Sequence, residues 1–113
     1  MSLAAQEISK LDRQVARKGQ TIQLRKAAAK DGSQDKGLRA FVRGYKPDEL
    51  AGGVQQGDST VIVSPTELAK SGFAGPIVRL DRVVVAGRVR SIEVANPVML
   101  NDQVVRIELW VRG

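Results

Sequence analysis

The chain contains few residues that could do chemistry. Its 113 residues include no cysteine and no histidine. Disulfide frameworks, thiolate zinc sites and histidine-dependent catalysis are therefore excluded. The groups left for acid–base or nucleophilic work are Asp, Glu, Lys, Ser, Thr and a single Tyr. The sequence predicts a protein that is not an enzyme and has no cofactor and no metal site.

Two acidic patterns have the outline of a site. Asp81 stands next to Arg82, as an acid–base pair would, but such a pair at the start of a strand is more often a turn or ion-pair feature. Asp31 and Asp35 flank Gly32 as calcium ligands might. That spacing lacks the third carboxylate and the closing glutamate of an EF-hand. We interpret both patterns as structural.

The glycine-rich stretch 52–57 does not match a nucleotide-binding loop. It lacks the Lys and the Ser or Thr of a P-loop, and it precedes a strand and not a helix. We interpret it, with the turn predicted at 45–50, as an irregular connection.

Trp110 is the one aromatic residue that could anchor an interface. It alternates with the apolar positions of the last predicted strand, on the face that carries Arg106, Glu108 and Arg112. An exposed tryptophan there suits a partner contact. The alternative is that Trp110 packs beneath the N-terminal helix as part of the core, and the sequence leaves both open.

An amphipathic helix is predicted over residues 4–18. Ile8, Leu11 and Val15 recur at steps of three and four, which places them on one face. Gly19 follows a basic last turn and is predicted to end the helix in a left-handed conformation. The apolar face must be covered, either by the body of the domain or by a neighbouring subunit. Ile8, Leu11 and Val15 therefore join Trp110 as candidate interface residues.

The remaining patterns predict short strands and one short helix. Alternating or β-branched runs favour strands at 21–25, 38–43, 59–63, 80–85 and 88–94, and a last strand whose inward residues run from Val105 to Val111. Asn96-Pro97 is expected to break the pattern, and Asn101-Asp102 marks a turn. Ile22 and Leu24 should point inward.

A capping pattern locates the second helix. Ser64 as cap, Pro65 in the first turn and Glu67 as the capping-box residue predict a helix from Pro65 to about Lys70 that ends at Gly72. The fold class is mainly β: a single domain over 1–113, with five to six antiparallel strands in a small barrel or sandwich and the helices outside it.

The segment 27–37 is predicted to be a flexible hairpin loop, because it is polar and contains glycine. Its central residues are Lys30, Asp31, Gly32, Ser33, Gln34, Asp35 and Lys36.

The net charge of +6 favours acidic partners in general, such as nucleic acid or an acidic protein surface. The cations are spread along the chain, and one Trp, one Tyr and two Phe supply few stacking platforms. A solvated basic surface is the simpler interpretation. No apolar run approaches the roughly 20 residues that would cross a bilayer, so we expect a soluble cytoplasmic protein without membrane contact.

The order of these patterns resembles the head–tail connector or stopper proteins of tailed bacteriophages, also called head–tail joining proteins. The resemblance covers nearly the whole chain. It is carried by Gly-Gln-Thr-Ile-Gln-Leu-Arg at 19–25, Val-Arg-Gly-Tyr at 42–45 with its Pro-Asp-Glu-Leu turn, Gly-Asp at 57–58 with Val-Ile-Val-Ser at 61–64, Asp-Arg-Val-Val-Val-Ala-Gly-Arg at 81–88, and the closing Leu-Trp-Val-Arg-Gly at 109–113.

The resemblance implies a structural virion protein. Such proteins assemble into a homo-oligomeric ring beneath the portal or adaptor protein, extend or close the DNA channel and receive the tail proteins. The chain would then lie in the neck of the virion and, during assembly, in the host cytoplasm. The loop at 27–37 would be the one that projects into the lumen, close to packaged DNA.

Two other functions remain open from sequence. A small barrel with a basic surface could be a nucleic-acid-binding module, which would show a steep salt dependence. A tail-completion or minor tail protein would share most of the connector's features. An enzyme, with a site assembled from distant lysines or carboxylates, is the least favoured class.

Overall fold

The computed structural model describes residues 2–44, 58–73 and 75–112. The predicted turn at 45–50 and the glycine-rich stretch 52–57 lie outside the described residues.

The described chain is a closed antiparallel barrel with two helices. The strands are ordered β1-β2-β3-β6-β5-β4 around the barrel. This confirms the predicted mainly β fold class. Of the two architectures predicted, barrel and sandwich, the structure is a barrel. The helices are α1 (Leu3–Lys18) and α2 (Pro65–Ser71), and the strands are β1 (Gln20–Arg25), β2 (Lys36–Gly44), β3 (Ser59–Val63), β4 (Arg82–Val85), β5 (Arg88–Leu100) and β6 (Gln103–Arg112).

The core lies inside the barrel and consists mostly of β-branched and leucine side chains. Ile22 and Leu24 of β1 point inward and are fully buried, as predicted. On β6, the inward positions from Val105 to Val111 are buried while their neighbours are not. This alternation follows from the two-residue period of a strand with one face in the core. Removing these apolar surfaces from water is the main stabilising contribution.

The apolar face of α1 is covered by the chain's own barrel. Leu11 is 8% exposed and Val15 is 2% exposed. The helix packs on β2 and β6. Leu11 and Val15 are therefore packed into the chain's own core, which corrects their assignment as candidate interface residues. Ile8 is only half-buried.

A polar contact joins α1 to the start of α2. The Asp12 carboxylate accepts hydrogen bonds from the hydroxyls of Ser64 and Thr66, the latter at 2.9 Å. Ser64 also caps α2 by accepting from the Thr66 backbone N–H at 3.2 Å. The negative charge thus lies at the N-terminal end of α2, where the helix dipole favours it.

The predicted limits of α2 are confirmed. The helix begins after Ser64, with Pro65 in its first turn, and ends at Gly72, whose φ of 77° is left-handed. The predicted capping-box role of Glu67 is wrong. Its Oε1 accepts from the backbone N–H of Arg39 in β2, at 3.1 Å, because the barrel places an unpaired strand amide within its reach.

Gly19 ends α1, but its backbone is not left-handed as predicted. It is extended, with φ −78° and ψ 175°. A Cβ at this position would collide with the Val15 carbonyl oxygen and lie 2.9 Å from that of Ala40. Glycine is therefore required by the close approach of the helix end to β2. Arg39 completes this end by donating to the Gly19 carbonyl at 2.7 Å.

We expect Gly19→Ala to lower the free energy of unfolding by about 1–3 kcal/mol, because the added methyl forces backbone shifts in a packed region. Gly37→Ala is the matched control, since a Cβ there meets only the Ile22 carbonyl oxygen at 3.9 Å. Urea denaturation of both variants measures the effect. Equal stability of the two variants would contradict this account of Gly19.

Asn96-Pro97 does not interrupt β5, contrary to prediction. The strand continues to Leu100, and Pro97 pairs with Ile107 of β6. A proline is tolerated because β4 pairs with β5 only over residues 88–91, so one side of β5 has no ladder to interrupt at Pro97. The turn predicted at Asn101-Asp102 is confirmed, with φ of 52° and 64°.

The long β5–β6 hairpin extends past its neighbours in the barrel. β3 pairs with β6 only at residues 107–111. Residues 98–106 therefore form a two-stranded ribbon that pairs with neither β3 nor β4. Met99 on this ribbon is 54% exposed.

Candidate functional site

The loop at 27–37 is fixed at both ends by an ion pair. The Arg25 guanidinium donates two hydrogen bonds to the Asp35 carboxylate, both at 2.8 Å. The side chains are 15% and 6% exposed. The Arg25 guanidinium also holds the pKa of Asp35 below its usual range. The pair joins the end of β1 to the residue before β2, which begins at Lys36, two residues earlier than predicted.

Asp81 and Arg82 hold the same loop from the other side. Arg82 donates to the Ala29 carbonyl at 2.6 Å. The Asp81 carboxylate, 2% exposed, accepts from the backbone N–H groups of Ala27 at 3.0 Å and Val78 at 3.1 Å. These contacts agree with the structural interpretation of the Asp81-Arg82 pair.

Asp31 and Asp35, the two carboxylates beside Gly32, both accept hydrogen bonds from donors of the protein. Asp31 accepts from the Ser33 backbone N–H at 2.9 Å, and this hydrogen bond lowers its pKa. The contact starts a single 3₁₀ turn at Gly32–Gln34. Asp35 is occupied by Arg25. The flexibility of the loop stays a prediction, but its two ends are fixed by hydrogen bonds.

Beside the loop lies a basic groove of about 530 Å³. Lys26, Lys30 and Lys36 line it together with Phe73. The Lys26 ammonium stands 4.3 Å from the centre of the Phe73 ring, in a cation–π contact. Sequence analysis missed Phe73, because it lies far along the chain and reaches the loop only through the barrel.

Trp110 lies on the outer face of the barrel and is half-buried. Its strand neighbours are Thr60 in β3 and Val94 in β5. The indole N–H donates to Asp58 Oδ2 at 2.8 Å, and Arg112 donates to both oxygens of Asp58 at 3.1 Å. Trp110 therefore faces away from the barrel interior, so the alternative that it packs beneath the N-terminal helix as part of the core is wrong. Its role in an interface stays a prediction.

Asp58 is the residue that organises this cluster, and sequence analysis missed it. It is 4% exposed although charged. The Asp58 carboxylate raises the pKa of Arg112 by hydrogen bonding. The available signal was weak: a lone Asp before a β-branched strand, 52 residues from its tryptophan partner.

An apolar groove of about 510 Å³ runs between α2 and the β5–β6 hairpin. Its floor includes Leu68, Phe73 and Ile77, and the hairpin supplies Pro97 and Val104. Ala69, on the exposed side of α2, forms part of its edge. The sequence offered only a hint of it, in the apolar residues that follow α2.

The carboxylates that the structure describes serve mainly as hydrogen-bond acceptors between segments of the chain. Over 2–44, 58–73 and 75–112, no group of three or more acidic residues is placed to hold a metal ion. The helices in this part of the chain are also too short or too polar to cross a membrane. Four aspartates instead tie segments of the fold together: Asp12, Asp35, Asp58 and Asp81.

Comparison with known proteins gives no family for the chain. A scan against protein-family models finds no match, and a search of the curated proteins finds none. The likeness to head–tail connector proteins therefore rests on the residue patterns given above, and the connector function stays a prediction.

The Arg25–Asp35 pair predicts a pH dependence of stability. The pKa of Asp35 is lowered in the folded state, so the pair's contribution is complete above the unfolded pKa near 3.9 and is lost as the pH falls through the folded value. We expect Asp35→Asn to lower the urea midpoint at pH 6, and the difference from the native protein to shrink towards pH 2.5. Asp102→Asn, in an exposed turn, is the control. A difference that stays constant with pH would contradict the prediction.

Proposed function

We propose that this protein is a structural component of a tailed-bacteriophage virion that packs into a ring at the head–tail interface. There it extends or closes the DNA channel and joins the tail. The sequence patterns that resemble connector and stopper proteins suggest this role. A small closed barrel whose described buried carboxylates, Asp58 and Asp81, accept hydrogen bonds from the chain's own donors is compatible with it.

The observation that carries the proposal is the apolar groove between α2 and the β5–β6 hairpin. Its lining side chains are all apolar, and they would gain free energy by leaving water when a partner covers them. Here the groove lies beside a ribbon that extends beyond the barrel. A second copy of the chain that covers the groove would form a heterologous contact, and repeated contacts of this kind close into a ring when the rotation between copies divides a full turn evenly.

The barrel supplies the rigidity that such a ring needs. Closure gives every strand of the barrel two neighbours and leaves only short unpaired stretches, such as that of β5 near Pro97, which reduces uncontrolled strand pairing between copies. Contacts between copies would then involve the apolar groove, the ribbon at 98–106 and residues on the outer face of the barrel such as Trp110. The hydrogen bond to Asp58 fixes the orientation of the Trp110 side chain, which therefore loses little conformational entropy when a partner binds.

We expect Ala69→Glu to abolish ring formation, because it places a charge at the edge of the apolar groove where a neighbouring copy would have to desolvate it. The residue is exposed, so the monomer should still fold. Electron microscopy of the protein mixed with its portal complex measures the effect, with circular dichroism to verify folding.

Ala16→Glu is the matched control, since Ala16 is an exposed alanine of α1 that does not line the groove. It should form rings like the native protein. Normal rings from Ala69→Glu would contradict the groove's role, and density at the tail end in place of the portal would favour a tail-completion protein.

We expect the loop at 27–37 to act in DNA retention. Replacing residues 30–34 by Gly-Ser-Gly removes the tip and keeps both Arg25 and Asp35, so the anchoring pair remains. Rings should form while packaged DNA leaks from the particles, because the projecting element is lost. Nuclease sensitivity of the DNA in assembled particles measures leakage, and unchanged retention would contradict the role.

A further inference from the structure

The face of α1 that points away from the barrel carries a basic stripe. Its positions are spaced by one, three and four residues, so they lie along one side of the helix. All are exposed, and together they line a shallow groove of about 290 Å³. The members of the basic stripe are Lys10, Arg13, Gln14, Arg17 and Lys18.

The carboxylates of α1 leave most of this charge uncompensated. Asp12 is turned towards Ser64 and Thr66 of the next helix. Glu7 pairs with Lys10 at 3.4 Å, at the N-terminal end of the stripe. Within the part of the chain that the structure describes, Arg13, Arg17 and Lys18 have no ion-pair partner.

We infer that the basic stripe contacts the phosphate backbone of duplex DNA. Lys10 to Lys18 spans about 12 Å along a helix axis. One strand of a duplex carries a charge every ~3.4 Å of its axis, so about three or four phosphates lie within this length. Long cationic side chains without base-reading partners make contacts that are independent of sequence.

The composition of the stripe distinguishes this partner from others. It contains no aromatic residue, which the stacking of single strands requires. It also lacks the apolar centre of a protein interface. A membrane-surface helix needs a free apolar face, whereas Leu11 and Val15 of α1 are buried on the barrel.

The inference rests on α1 alone and goes beyond the proposed ring. It assigns a DNA contact to a surface other than the loop at 27–37. Because the purified chain is sufficient for its test, failure of this inference and failure of ring formation are distinguishable.

The test is fluorescence anisotropy of a labelled 24-base-pair duplex, titrated with purified protein between 50 and 200 mM NaCl. With three unpaired cations in the stripe, the logarithm of the affinity should fall with the logarithm of the salt concentration with a slope of about −3. The variant Arg13→Gln/Arg17→Gln should reduce the slope to about −1 and weaken binding at 50 mM NaCl about tenfold or more.

A variant with the same change in net charge is the matched control. Arg79→Gln/Arg88→Gln removes two exposed arginines outside the basic stripe. Its affinity for the duplex should stay within about twofold of the native protein's, since the two arginines that it removes contact no phosphate. Equal losses in both double variants would overturn the assignment to α1, as would undiminished binding by Arg13→Gln/Arg17→Gln. Binding of poly-L-glutamate as tight as that of the duplex would overturn the choice of DNA and indicate an acidic protein partner.

Discussion

Closure of the barrel is the constraint on which the other features depend. Consecutive strands form two antiparallel units, β1-β2-β3 and β4-β5-β6, each of which has one apolar face. The pairings of β3 with β6 and of β1 with β4 join the two units along both edges. Only then does every inward side chain meet a partner across the core, because a single three-stranded sheet leaves its apolar face in water.

Buried and half-buried aspartates attach the irregular segments to this barrel. Each of them accepts hydrogen bonds from groups that are distant in sequence, as Asp81 does from Ala27 and Asp12 from Thr66. Burial of an ionised carboxylate is strongly unfavourable unless its oxygens accept hydrogen bonds. These hydrogen bonds fix the positions of the loop at 27–37, of α2 and of Trp110 relative to the strands. Each of these carboxylates is hydrogen-bonded to donors of the chain itself.

The surfaces left over have distinct chemical character. The groove between α2 and the β5–β6 hairpin is lined by apolar side chains, the groove beside the loop combines lysines with an aromatic ring, and the outer side of α1 is basic. Their separation follows from the way α1 and α2 lie on the barrel. The apolar face of α1 packs on the barrel, and its polar face is exposed to solvent. Because Asp12 is hydrogen-bonded to Thr66 at the start of α2, its negative charge does not offset the lysines and arginines of the exposed face.

Local features were predictable from the sequence because they depend on neighbours along the chain. The period-two pattern of β6, the start and stop of α2 and the turn at Asn101-Asp102 all agree with the structure. Predictions failed where two distant segments meet. Gly19 is required by its approach to Ala40, Glu67 binds the Arg39 amide, and Pro97 is accommodated because β5 has a free side.

By itself, the sequence determined a small mainly β domain without histidine or cysteine chemistry. Only the tertiary structure decided that Leu11 and Val15 are core, that Trp110 faces outward on Asp58, and that an apolar groove lies open beside α2. The physical reason is that burial and charge pairing are properties of three-dimensional neighbours. The sequence shows that an apolar stripe must be buried and that a buried aspartate must accept hydrogen bonds. The closed barrel decides which residues bury the stripe and which donate to the aspartate.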